Sequence, residues 1–126
     1  MKMIIGGAFQ GKERYAKERF PNINWKNGKD TSLEELLCCD GILGFHEFIR
    51  KEMRNEQDIS VLAEEIIKNN PNIIIVSNEV GYGVVPMDKF ERIYREQVGR
   101  ICTKLACASD EVIRVVCGIG TVIKGA

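Results

Sequence analysis

The octapeptide Gly6-Gly7-Ala8-Phe9-Gln10-Gly11-Lys12-Glu13 follows the apolar run Met3-Ile4-Ile5 and sets Gly6, Gly11 and Lys12 at the spacing of a Walker A phosphate loop. Glycines in such a loop let successive backbone N–H groups turn inward on phosphate oxygens, and the lysine adds a positive charge where the next helix starts. All eight residues, Gly6, Gly7, Ala8, Phe9, Gln10, Gly11, Lys12 and Glu13, are therefore candidate nucleotide contacts. The position after the lysine, which in this motif carries the hydroxyl that holds magnesium, is Glu13. Its carboxylate would either repel phosphates or ligate magnesium directly, which makes Glu13 a candidate metal ligand as well.

Other residues that could do chemistry are scattered. Ile73-Ile74-Ile75-Val76 is an unbroken β-branched run, as expected for a strand covered on both faces, and it ends in Ser77-Asn78-Glu79-Val80-Gly81-Tyr82-Gly83. In an open parallel sheet, ligands sit just past the carboxyl ends of the strands, so Asn78 is a candidate contact and Glu79 a candidate catalytic acid. Leu36-Leu37-Cys38-Cys39-Asp40 reads two ways. As a buried strand it would deliver Asp40 beside the phosphate loop, where an acid orients magnesium. As the end of a helix capped by Thr31 or Ser32 with Glu34 or Glu35, it leaves Asp40 an ordinary surface carboxylate. Arg95 and Arg100 lie with Arg92 on the polar face of a long helix, either solvating it or neutralising phosphate charge. His46, the single histidine, flanks an apolar stripe and is either structural or a base.

The elements that must position these groups can be read from periodicity. Lys12 to Phe20 is a helix stopped by Pro21, and Ile23 to Trp25 a short strand before an Asn27-Gly28 turn. Trp25 is either a core anchor or a stacking surface. Ile42 to Met53 carries Phe45, Ile49 and Met53 at helical spacing, and Asp58 to Asn70 is a second helix closed by Pro71. Met87 to Ser109 spans about six helical turns. Val112 to Cys117 is a strand, and Gly118-Ile119-Gly120 permits a tight return into a final antiparallel strand, Thr121 to Lys124. The alternation predicts a three-layer α/β domain, with a mostly parallel sheet and helices on both faces.

At 126 residues the chain is expected to form one domain. Lys plus Arg and Asp plus Glu both count 18, so no overall basic field favours nucleic acid, and any anion site must be local. No run approaches the ~20 apolar residues of a membrane span and none resembles a secretory signal, so a cytoplasmic protein is expected. Five cysteines without a C-x-x-C pair, and one histidine, predict reduced thiols packed as small apolar side chains.

The set resembles the cobinamide kinase/cobinamide-phosphate guanylyltransferase family of cobalamin biosynthesis. Gly6-Gly7-Ala8 with Gly11-Lys12 is similar to that family's G-G-A-R-S-G-K-S, and Ser77 to Pro86 is similar to its N-E-V-G-x-G-x-V-P segment. The likeness continues through Tyr94-Arg95-Glu96, Gly99-Arg100-Ile101, Ala106, Asp110-Glu111-Val112 and Val115 to Gly118. It implies a RecA-like P-loop fold and a transferase that uses ATP or GTP with Mg2+. Such an enzyme phosphorylates the aminopropanol arm of adenosylcobinamide and then transfers GMP to it, often as a homotrimer. The chain departs from the family pattern at Glu13 (serine), at Phe9-Gln10 (Arg-Ser) and at Cys102 (asparagine). The family segment bearing the guanylylated histidine is cut to roughly Pro21 to Cys39 and holds no histidine, and His46 does not match its motif. Guanylyl transfer is accordingly not expected.

Overall fold

The structure, a computed structural model, describes residues 1–79 and 88–125. The resemblance over Val80 to Pro86 therefore lies outside the described residues. Six strands form one sheet in the order β2-β3-β4-β1-β5-β6. They are β1 (Lys2–Gly6), β2 (Trp25–Asn27), β3 (Gly41–Leu43), β4 (Ile74–Asn78), β5 (Glu111–Val116) and β6 (Ile119–Lys124). Every pairing is parallel except β5 with β6. The expected α/β architecture, with its antiparallel finish, is what the chain adopts.

The apolar parity of the central strands produces the layers. Ile4, Val76, Ile113 and Val115 point to one face, where Ala16 of α1 (Lys12–Arg19) packs on them. Met3, Ile75 and Val112 point to the other, under α3 (Phe45–Arg54), α4 (Leu62–Asn69) and α5 (Lys89–Ala108). Asp88 caps α5, its side chain accepting from the Glu91 N–H. Among the described residues no helix is long and apolar enough to cross a membrane. The five cysteines are unpaired, and burial pushes the Cys102 thiol up to about 11.

Two segments decide or correct the sequence reading. Of the two alternatives for Leu36 to Asp40, the capped helix is the one the chain adopts. Ser32 and Glu35 form a reciprocal capping box that starts the one-turn helix α2 (Leu33–Leu36), and the chain then turns into β3. The apolar pair Ile42-Leu43, expected to open a helix, belongs to β3 instead. Gly44, in the left-handed region at φ 67°, ends the strand and N-caps α3. The hairpin turn also differs, being made by Cys117 and Gly118 (φ 52° and 76°) rather than by Gly118 to Gly120. Gly120 is needed for another reason, since a Cβ there would lie 2.3 Å from the Tyr15 ring.

Candidate functional site: the phosphate-loop cleft

The carboxyl ends of β1, β3 and β4 open into a cleft of about 630 Å³ lined by the loop after β1, by Lys29, by the start of α3 and by Asn78. Its wall begins at Gly6, where a Cβ would come within 2.6 Å of the Val115 carbonyl oxygen, so that only glycine lets β1 end flush against β5. The chain passes Phe9, at φ 60° and with its ring fully exposed, and reaches Gly11 at φ 83°, which caps α1 without a side chain. Gln10 fastens this loop to the β5–β6 hairpin. Its side-chain oxygen accepts from the Cys117 N–H at 2.7 Å, and its carbonyl from the Gly118 N–H at 2.7 Å.

Lys12 opens α1 and is only 8% exposed. Its Nζ donates to the Gly7 carbonyl oxygen at 3.3 Å, and burial holds its pKa below the ordinary lysine range while Glu13 works against that shift. The N–H groups of Lys12 and Glu13 meet no acceptor among the described residues. A buried cation beside unused helix-start amides is an anion-binding arrangement. Glu13 is exposed and lines the same cleft, so the predicted loop residues do come together around Lys12.

The remaining predicted residues divide. Asn78 lies opposite Gly6 in register and lines the cleft. Glu79 does not: one residue further along β4, its side chain takes the α5 face and pairs with Arg114 on β5 at 2.8 Å, lining a separate groove of about 460 Å³. Asp40 is at the wrong end of the sheet. It precedes β3, its carbonyl accepts from the Ile74 N–H at the start of β4, and its carboxylate accepts from the Asn24 N–H, all at the amino edge. Neither a catalytic nor a metal role for Asp40 is compatible with that placement. Arg100 pairs with Glu96 at 2.6 Å on an exposed face of α5, and neither Arg95 nor Arg100 lines the cleft.

Among the cleft residues missing from the expected set are Lys29, Glu47 and, as a site residue, His46. Reading Gly41-Ile42-Leu43 as a buried parallel strand would have found two of them, because residues just past such a strand face the ligand. The His46 Nδ1 accepts the Asn78 N–H at 3.1 Å, which leaves the ring proton on Nε2, 3.5 Å from Glu47 Oε1. The Tyr94 hydroxyl donates to the His46 carbonyl at 3.1 Å and holds the residue from the α5 side.

The imidazole is 12% exposed, and burial lowers its pKa from 6.5 to about 4. The unfolded chain takes up a proton near 6.5 that the folded chain refuses until about 4. The stability due to this neutral histidine is thus complete above 6.5 and is lost as the pH falls through that window. His46→Gln should flatten that part of the pH dependence, removing a destabilisation on the order of 3 kcal/mol at pH 4. Urea unfolding of both proteins between pH 4 and 7 measures the difference, and the proton resonances of the single histidine give the midpoint directly.

Among the described residues no three histidine, cysteine, aspartate or glutamate side chains are grouped to hold a metal by themselves. Magnesium does not require such a cage, since it binds through one or two carboxylates plus substrate phosphates and water. Glu13 and Glu47 are the cleft's carboxylates among the described residues, and they fit that pattern.

The sequence model of the family described as "Cobinamide kinase / cobinamide phosphate guanyltransferase" matches residues 26–123, a span that begins after the phosphate loop. Two curated relatives carry the name "Bifunctional adenosylcobalamin biosynthesis protein CobU". The one from Salmonella typhimurium is 36% identical over 78 residues, 62% of this chain and 43% of the relative. The one from Escherichia coli is 46% identical over 52 residues, 41% of this chain and 29% of the relative. The chain thus spans less than half the length of either.

Proposed function

Because the chain belongs to the cobinamide kinase/cobinamide phosphate guanyltransferase family, we propose that it is a compact nucleotide-binding phosphotransferase of adenosylcobalamin biosynthesis. It binds ATP or GTP with Mg2+ in the phosphate-loop cleft and phosphorylates a side-chain hydroxyl of a corrinoid. The observation that carries this reading is Lys12, buried at a helix start where the N–H groups of Lys12 and Glu13 meet no acceptor among the described residues.

In this reading Lys12 and the amides of Lys12 and Glu13 hold the terminal phosphates, and Lys29 adds charge from the opposite wall. The hydroxyl oxygen bonds to the γ-phosphorus as the bond to the β–γ bridging oxygen breaks, and the hydroxyl proton leaves to solvent. Magnesium, when bound, screens the charge on the phosphate oxygens. The chain's share is placement of donors rather than covalent chemistry. Guanylyl transfer through a histidine has no support in the cleft: Nδ1 of His46 already accepts from Asn78 and Nε2 carries the proton, so the ring offers no free lone pair. A cytoplasmic location and assembly as a homotrimer belong to the same proposal and come with the family resemblance.

A second reading, a non-enzymatic member kept as a partner of a corrinoid enzyme, is favoured by Glu13. A carboxylate about 4 Å from a phosphate charge costs ~4 kcal/mol at an effective dielectric near 20.

Calorimetric titration of the nucleotide-free protein with ATP and GTP, with and without magnesium, separates the two. Micromolar, magnesium-dependent binding is expected, and silence at millimolar nucleotide would leave only the scaffold. Glu13→Ser refines the result. If the glutamate merely obstructs, the variant binds roughly tenfold or more tightly, within the ~4 kcal/mol that the repulsion could cost. If it ligates magnesium, the variant loses magnesium dependence.

A further inference from the structure

We infer that Glu47, reaching from the first turn of α3, supplies the metal-orienting carboxylate that the carboxyl end of β3 lacks; this rests on the nucleotide-binding reading above. β3 is separated from β1 by β4 alone, so the residue leaving β3 faces the ligand edge beside the phosphate loop. That residue is Gly44, which has no side chain to offer.

A carboxylate side chain nevertheless stands beside that strand end. A Cβ built on Gly44 would lie 3.7 Å from Cγ and 3.9 Å from Cβ of Glu47, which is ordinary van der Waals contact. The Glu47 side chain is therefore next to the place where a side chain at position 44 would start. Gly44's left-handed turn makes this possible, because it starts α3 at once and brings position 47 round above the strand. The carboxylate also has a polar neighbour. Oε1 lies 3.5 Å from His46 Nε2, whose ring is fixed by the Asn78 N–H, and Asn78 is paired in register with Gly6 at the root of the loop. Glu47 is thus linked, through two residues, to the strand that leads into the phosphate loop.

Its role is that of a positioning residue. It would accept from metal-bound water and set where magnesium sits on the phosphates, with Glu13 from α1 as the second cleft carboxylate. The ligand class is a divalent cation already on a nucleoside di- or triphosphate rather than a free cation, since the described residues supply too few groups to hold one alone.

The test is titration of ATP and GTP, with and without magnesium, into the wild-type chain and into Glu47→Gln, Glu47→Asp and Glu13→Gln. Glu47→Gln should bind metal-free nucleotide as well as wild type or slightly better, having lost a repelling charge. It should lose roughly tenfold to a hundredfold of the gain that magnesium confers, as outer-layer ligands typically do, and Glu47→Asp should recover part of it. With manganese in place of magnesium, the paramagnetic signal of bound metal in the presence of ATP should fall in parallel. A Glu47→Gln protein that keeps the full magnesium gain overturns the inference while leaving nucleotide binding standing. So does one that loses metal-free and metal-bound affinity equally, which marks a structural role. A wild-type chain that binds no nucleotide overturns both.

Discussion

Replacing Lys12 with alanine should cost roughly tenfold to a hundredfold in affinity for ATP or GTP, the worth of a charge-assisted hydrogen bond, without destabilising the fold. The two halves of that expectation come from the same burial. Lys12 is a buried residue and its ammonium has one carbonyl within reach among the described residues, so a phosphate gives it a partner that the free protein does not. For the same reason the free protein gains nothing from keeping it charged there. Removing a desolvated cation relieves a penalty, so the thermal midpoint of Lys12→Ala should be equal to or above that of the wild type. Calorimetry and a melting curve on one preparation check both. An unchanged affinity would sink the cleft as a phosphate site, and a lower midpoint would show Lys12 to be structural.

The largest effect on stability is expected at Gly28. A Cβ at this position would lie 2.1 Å from the Gly44 carbonyl oxygen, 2.9 Å from the Gly44 carbonyl carbon and 3.1 Å from the Phe48 nitrogen. All three are backbone atoms, which cannot swing aside as a side chain can. The Gly28 N–H also donates to the Leu43 carbonyl at 2.7 Å, so the segment after β2 cannot back away without breaking that bond. Gly28→Ala should therefore cost about 3 kcal/mol or more, at the upper end of what overpacking does. The urea midpoint should fall with little change in slope. Whatever folded protein remains should bind nucleotide less well, because the displaced carbonyl belongs to the turn that aims His46 and Glu47. A loss below 1 kcal/mol would mean that the Gly28 and Gly44 segments can separate.

How far the site could be read from sequence depended on strand length. The phosphate loop is local, with the glycines and lysine of its motif all within the octapeptide, and it was legible. Ile73 to Val76 and the long helix α5 were legible for the same reason, each being long enough to show its period. β3 was not, because its three residues, Gly41 to Leu43, run into the apolar stripe of Phe45, Ile49 and Met53 and read as one helix. Missing β3 affected two acids. With β3 unseen, Leu36 to Asp40 stayed open as a strand or a helix end, and only the strand alternative put Asp40 beside the phosphate loop, whereas the true strand starts after it and leaves Asp40 on the opposite edge. The same omission also hid Glu47 within a helix whose start was misplaced by three residues. Glu79 failed on parity. The strand extends to Asn78, and the next residue takes the α5 face, toward an arginine 35 positions away that no local pattern could announce.

The position of β1 has a consequence for the order in which the molecule can be made. Lys2 pairs with Ile74 on one side and Glu111 on the other, and Gln10 is fastened to Cys117 and Gly118. A ribosome delivers the phosphate loop long before it delivers either neighbouring strand or the hairpin that pins the loop. Until then the loop hangs from a strand with no partner, and closing contacts over such a separation is slow. The part of the chain that would do the chemistry is translated before the strands that shape it, so competence to bind nucleotide would signal that synthesis has passed the hairpin.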